Sequence, residues 1–384
     1  MRRDIFTPEH ALFREQFRRF AEKEIAPKVA QWNERGMSDR ETWRRCGAAG
    51  YLGANQPVEY GGAGGDFLYD AIIMEELADL RAHGLMISLH SDIILPYLTT
   101  YGSEEQKRRY VPGAIRGEIL LGIAMTEPGT GSDLANVQTR ARRDGDSYVV
   151  SGAKTFISNG QIGDLFVVVC RTDPDADPPH RGISLLLIEA ETPGFIKGRK
   201  LDKLGLRGQD TSELAFDDCR VPVSNLLGRE GDGFKMLMQS LQQERLSIAV
   251  SSLASSRRAL EDTVAYTKQR QAFGQPIAAF QNTQFRLVEF ATEVEIGQAF
   301  IDKLLVAHVR GDDVVTEVSM AKWWTTDLQK RLTSECVQLH GGYGFMLEYP
   351  IAMDYADAAV QSIYAGTNEI MKVIIARRMG LDHG

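Results

Sequence analysis

Strand-forming sequence in this chain is confined to one internal block. Between Ile119 and Phe216, short apolar and β-branched runs recur at Ile119–Met125, Tyr148–Val150, Leu165–Cys170, Ile183–Ile188 and Glu213–Phe216. Asp144-Gly145 has the composition of a hairpin turn between two of them. On either side, apolar residues return at helical spacing. The order predicts an α+β chain: an N-terminal all-α domain over residues 1–118, a middle β domain over 119–230 and a C-terminal helical domain over 231–384.

Local signals punctuate the helical parts. Thr7 and Pro8 suit an N-cap and first helical position, and Phe13, Phe17 and Phe20 follow at helical spacing. Ser38 with Glu41 and Ser103 with Gln106 have capping-box spacing, each predicting a helix start. The run Gly61–Gly65 lacks both the GxGxxG order and a preceding strand, so it reads as a connector and not a phosphate loop. Gly274 with Pro276, Gly311-Asp312-Asp313 and Gly341–Gly344 interrupt the C-terminal helices.

Composition removes several function classes. A chain of 384 residues with 43% hydrophobic and 25% charged content suits a large soluble core. The net charge of −8 and the lack of a basic stripe argue against nucleic acid as a partner. No apolar run approaches the ~20 residues of a membrane span, and the first residues lead directly into an amphipathic helix without a secretory signal. Four scattered cysteines predict free thiols in a reducing compartment, with the cytoplasm as the expected location. The seven histidines show no ligand spacing, so no metal is expected.

Four segments carry the chemistry. Ala124–Ala135, AMTEPGTGSDLA, leaves a strand through a loop shaped by Pro128, Gly129 and Gly131, whose hydroxyls and amides suit a polar heterocycle or a carbonyl. Lys154–Gly160 reads KTFISNG, and Arg270–Gly274 reads RQAFG, with Gln281 beyond it. Gln338–Tyr349 and Ile363–Ile370 read QLHGGYGFMLEY and IYAGTNEI. Singly, each is compatible with an ordinary turn, strand or surface ion pair. Together and in this order they resemble the acyl-CoA dehydrogenase family along essentially the whole chain, nearest its long-chain branch.

That resemblance implies a fold of N-terminal helices, a middle β-barrel or sandwich and a C-terminal four-helix bundle. It implies FAD as cofactor, with Ile123, Met125, Thr126, Gly131, Ser132, Phe156 and Ser158 near the isoalloxazine. Phe156 stands where many relatives carry Trp. Arg270, Phe273, Gln281, Gln338, Gly341 and Gly342 would serve the diphosphate, partly of a neighbouring subunit's FAD, and Thr367 and Glu369 complete the cofactor set. An Arg fork neutralises a diphosphate bidentately where no Gly-rich loop is present. The implied partners are an acyl-CoA substrate, an electron-transfer flavoprotein and other copies of the chain in a homotetramer.

The implied reaction is α,β-dehydrogenation of the thioester to a trans-2-enoyl-CoA, with hydride leaving for flavin N5. It needs a carboxylate base and a polarised carbonyl. Many relatives hold the base immediately before Gly-Thr in the last motif, where this chain has Ala365. The family's second location for it falls on Glu244, in Gln243-Glu244-Arg245-Leu246 upstream of Arg270. Glu244 is therefore the expected base, with its pKa raised under substrate and flavin. The Ala365 backbone N–H is the expected donor to the thioester carbonyl. Ser132, Arg245, Tyr364 and Gly366 are the expected substrate contacts. An oxygen-using acyl-CoA oxidase or flavin monooxygenase, and a non-catalytic acyl-CoA-binding homologue, are the competing readings.

Overall fold

A computed structural model describes residues 3–381. Helices α1 (Pro8–Glu24), α2 (Val29–Arg35), α3 (Arg40–Ala48), α4 (Phe67–Asp79), α5 (Leu95–Tyr101) and α6 (Glu104–Ile115) form the first part. Thr7 caps α1, with a box closed by His10, and Ser103 caps α6, with Gln106 closing the box. The expected box at Ser38 and Glu41 does not form. Asp39 caps α3 by accepting from the Thr42 amide, and the Ser38 hydroxyl accepts from the Trp43 indole instead.

Residues Leu89–Ile94 form a π-helical turn leading into α5. Pro96 has no N–H to offer the Asp92 carbonyl four residues back. That carbonyl accepts from Gln243 Nε2 at 2.6 Å, which ties this turn to the long helix beyond the sheet. The contact fastens the N-terminal helices beside Glu244.

The strands are β1 (Leu121–Ala124), β2 (Arg140–Asp144), β3 (Ser147–Ser158), β4 (Leu165–Arg171), β5 (Ile183–Glu189), β6 (Phe195–Lys200), β7 (Thr211–Pro222) and β8 (Leu226–Leu227). They lie in one sheet in the order β6-β7-β3-β2-β4-β5-β8, with β1 added parallel to β4. The β2–β3 hairpin closes Asp144 onto Ser147, with Gly145 at φ +61°, so the turn centres on Gly145-Asp146. β6 gave no sequence signal because FIKGRK is half basic and forms an exposed edge strand.

Five helices follow: α7 (Gly233–Gln269), α8 (Gln281–Val309), α9 (Val315–His340), α10 (Pro350–Gln361) and α11 (Asn368–Arg378). A short hairpin of β9 (Gln271–Ala272) and β10 (Gln275–Pro276) separates α7 from α8. The bundle is built on three long helices and two short ones. Its core includes Leu246, Ala249 and Leu253 of α7 and is continuous with Phe67, Ala71 and Met74 of α4. This shared apolar seam sets the N-terminal domain against the α7 turn that carries Glu244.

Candidate active site

The loop after β1 is held by a buried ion pair. Lys154 is fully enclosed on β3, and its ammonium donates to Glu127 Oε1 at 2.8 Å and to the Met125 carbonyl at 3.0 Å. Glu127 also accepts from the Gln138 and Thr139 amides at 2.6 and 2.9 Å. Burial pushes the Glu127 carboxyl up, but Lys154 and those donors outweigh it and hold the group below its usual range. The Thr155 amide donates to the Thr126 carbonyl at 2.9 Å, so the loop and β3 move as one unit.

Beside that anchor the β3–β7 register breaks between Lys154 and Ile157. Phe156 sits in the break at φ +60° with 67% of its surface exposed. An aromatic residue in the left-handed region is strained, and a bulge redirects a side chain out of its sheet face. The chain thus spends strain on presenting one ring to the outside. Ile123, Met125, Thr126 and Ser158 are partly covered near the anchor, whereas Gly131 and Ser132 are exposed at the loop tip. A Cβ on Gly131 would meet nothing within 4 Å, which leaves open backbone for a ligand.

The second feature is a charged cluster facing the turn before α11. Glu244 is partly covered, but its Oε2 is sealed from solvent and has no hydrogen-bond partner. Burial pushes its carboxyl up to about 7, against the opposing pull of Arg245 and Lys322. Arg245 is buried, and its Nε is likewise unpartnered. A Cβ added to Gly366 would lie 3.9 Å from Arg245 Nη2 and 2.8 Å from Met371 Cε, so the turn fits closely over Arg245. Ala365 and Gly366 are both left-handed, at φ +53° and +84°. The small Ala365 side chain leaves its backbone approachable.

The raised carboxyl has a consequence for stability. Its proton is held more tightly in the folded chain than in the unfolded one, so burial carries no penalty below about 4.5 and an increasing one up to about 7. Glu244→Gln is expected to stabilise the protein by about 2 kcal/mol at and above neutrality and not in acid. Thermal unfolding of both proteins on either side of this window checks it, and an equal shift at both pH values contradicts it.

A cleft of about 450 Å³ forms the third feature, lined by Arg270, Gln338, Gly341, Gly342, Tyr266 and Tyr343 among others. Arg270 lies over the Tyr343 ring at 5.6 Å, and Tyr266 stacks on His340 at 4.1 Å. Gly341, at φ +61°, and Gly342 have open space where a side chain would project. A guanidinium, an amide and bare backbone on an aromatic wall suit a diphosphate and an attached ring.

The expected residues therefore fall into separate groups. Arg270, Gln338, Gly341 and Gly342 share the cleft. Phe273 and Gln281 do not line it: Phe273 is 96% exposed at the β9–β10 turn, and Gln281 begins α8 on the surface. Thr367 caps α11 by accepting from the Ile370 amide at 3.3 Å, with Glu369 exposed beside it. The Tyr364 hydroxyl donates to Gln361 Oε1 at 2.6 Å, so any contact with an acyl chain would come from its ring.

One residue escaped the sequence reading. Lys322 of α9 is fully buried and donates to the Gly366 carbonyl at 2.7 Å. Its helical phase, shared with Val318, Ala321, Thr325 and Leu328, is otherwise enclosed, and a cation on such a stripe was the available signal.

Comparison with known proteins matches this chain to three consecutive family models. The acyl-CoA dehydrogenase N-terminal domain matches residues 7–118, the middle domain 122–219 and the C-terminal domain 231–380. The long-chain specific acyl-CoA dehydrogenase of Sus scrofa mitochondria is 48% identical over 377 residues, spanning 98% of this chain and 88% of that protein. An acyl-CoA dehydrogenase structure from Geobacillus kaustophilus superposes with a TM-score of 0.97 at 51% identity, over 98% of this chain and 100% of that one. A structure described as the electron transferring flavoprotein of Acidaminococcus fermentans gives a TM-score of 0.93 at 34% identity, over 98% and 99% of the two chains.

Proposed function

Because the chain belongs to the acyl-CoA dehydrogenase family of FAD-dependent oxidoreductases, we propose that Glu244 removes the α-proton of an acyl-CoA thioester while the Ala365 N–H holds the thioester oxygen. The observation that carries this reading is the sealed, unpartnered Oε2 of Glu244 in one charged cluster with Lys322, which donates to Gly366 in the turn where Ala365 replaces the carboxylate. A base works best with its pKa near the working pH, and burial has brought Glu244 there. Arg245 and Lys322 keep enough positive charge nearby for the carboxylate to form. An amide N–H at Ala365 needs no side chain to stabilise developing negative charge on the carbonyl.

FAD, when bound, supplies the acceptor for the β-hydride. The residues present fit that group. Strained Phe156 offers a ring, Thr126, Ser132 and Ser158 offer hydroxyls, and the Arg270 cleft offers a diphosphate cradle. None of the loop residues lines the cleft, which suits an assembly where each patch serves a different copy of FAD. Exposed Phe285, Val288 and Ile296 on α8 and Phe345 beyond α9 support a homotetramer. We take the domain limits as 1–118, 119–230 and 231–384.

Arg270→Lys keeps the charge and loses the fork, so FAD affinity should fall about tenfold or more. Titration of apoprotein with FAD checks it, and an unchanged affinity removes Arg270 from the diphosphate site. Four buried, unpaired cysteines suit a reducing compartment, and the cytoplasm remains the proposed location. Among the described residues no helix is long and apolar enough to cross a membrane.

The test of the function is anaerobic flavin bleaching with straight and branched acyl-CoAs, followed by reoxidation. Bleaching by one series, slow reoxidation in air and rapid reoxidation by an electron-transfer flavoprotein are expected. Reoxidation in air as fast as turnover supports the oxidase reading instead. Binding without bleaching by any member supports the non-catalytic one.

A further inference from the structure

Lys322 is an expensive residue to place where it is. Its side chain is wholly enclosed, and its ammonium donates to a carbonyl and an amide oxygen, while the carboxylates of Glu244 and Glu369 act on it only through space. Burying a cation with no carboxylate bonded directly to it is unfavourable unless its hydrogen bonds are well satisfied. The site is also beside the N-terminal end of α11, where the helix dipole disfavours positive charge. Burial accordingly pulls the ammonium down to about 8.

The acceptors show what the placement achieves. Lys322 Nζ donates to the Gly366 carbonyl at 2.7 Å and to Asn368 Oδ1 at 3.3 Å. Asn368 is itself fixed. Its Oδ1 accepts from Thr326 Oγ1 at 3.1 Å, its Nδ2 donates to the Trp323 carbonyl at 3.2 Å, and its backbone N–H donates to the Ser362 carbonyl at 3.0 Å. The frame closes both sides of Ala365-Gly366, two successive left-handed residues with no regular structure to hold them. The same ammonium and the Arg245 guanidinium are the two cations acting on Glu244.

We propose that Lys322 is a positioning residue for the reaction: it pins the Gly366 carbonyl and thereby holds the Ala365 N–H and the Glu244 carboxyl on the same thioester. The inference rests on the roles given to Glu244 and Ala365 above. The groups facing Glu244 are Arg245 from its own helix, Lys322 from α9 and Tyr97 from α5, while Glu369 of α11 acts on Lys322. Removing Lys322 subtracts one cation from this set, so Glu244 should deprotonate at higher pH. It also leaves the turn free to rotate its amide away from the thioester oxygen.

The test uses FAD-loaded Lys322→Met and Lys322→Gln proteins and two readouts. The first is the ratio of affinities for an acyl-CoA thioester and for its thioether analogue, in which a methylene replaces the carbonyl. The wild-type protein should prefer the thioester, and Lys322→Met should lose about tenfold of that preference with thioether affinity unchanged. The second is the pH profile of flavin reduction, whose acid limb should move to higher pH in both variants. Should the Met protein not fold, the Gln protein carries both measurements. An unchanged affinity ratio and an unmoved acid limb in a folded variant overturn the inference. If Glu244→Gln still bleaches normally while the ratio falls as expected, the base assignment fails and the role of Lys322 at the carbonyl stands.

Discussion

A Glu244→Gln protein is expected to bind FAD and acyl-CoA as the wild type does, yet to reduce its flavin about ten-thousand-fold more slowly. The expectation follows from position and not from carboxylate content. The chain has 52 acidic residues, but the position before Gly366 holds an alanine. Glu244 combines a solvent-sealed, unpartnered oxygen with two nearby cations and a pKa near neutrality. Glutamine fills the same volume and accepts no proton. Retained acyl-CoA affinity with lost reduction would place the defect in the chemical step. A comparable loss of binding would mean that Glu244 shapes the pocket, and the base would have to be sought elsewhere.

The second large effect concerns the loop that carries the hydroxyls. Lys154→Met is expected to destabilise the protein by about 3–5 kcal/mol, because it strands the Glu127 carboxylate in a place that water does not reach. Glu127 retains its two amide donors, so the loop keeps its attachment to the Gln138–Thr139 segment and the Thr155–Thr126 backbone bond, and loses both Lys154 ties to β3. FAD content should fall with stability, since Thr126 and Phe156 flank the broken tie. A double change, Lys154→Met with Glu127→Gln, should recover part of the stability because no buried charge remains unpaired. Thermal unfolding and flavin absorbance of the purified proteins check both statements. A single variant that unfolds like the wild type contradicts the account of the anchor.

Much of this organisation is legible in the sequence, for a physical reason. Period and composition report burial, and burial dominates the assignment of α and β regions. The strands Leu165–Arg171 and Ile183–Glu189 stand out because both faces are enclosed. β6 does not, since an exposed edge strand has no need of an apolar pattern. The helix cap falls on Asp39, one residue beyond Ser38, because the Ser38 hydroxyl accepts from the Trp43 indole and is not used as a cap.

Site residues follow a different logic. Glu244 could be anticipated because Ala365 leaves a vacancy in an otherwise retained motif. The resemblance also grouped Arg270, Gln338, Gly341 and Gly342, which lie far apart in sequence and meet in one cleft. Lys322 was not anticipated because its partners are a carbonyl and an amide, groups that leave no mark in a sequence. The strain at Phe156 and the break at Pro96 that frees the Asp92 carbonyl for Gln243 are likewise visible only once the backbone is folded.

The most direct test of the central claim is the pH dependence of anaerobic flavin reduction by an acyl-CoA, measured at low substrate concentration so that the free enzyme's ionisation is reported. The wild-type rate should rise with pH through an apparent pKa near that of Glu244, about 7. The residual rate of Glu244→Gln should lack that limb. A wild-type profile flat across neutrality, or a Gln variant that keeps both the limb and the rate, would contradict the assignment of Glu244 as the base.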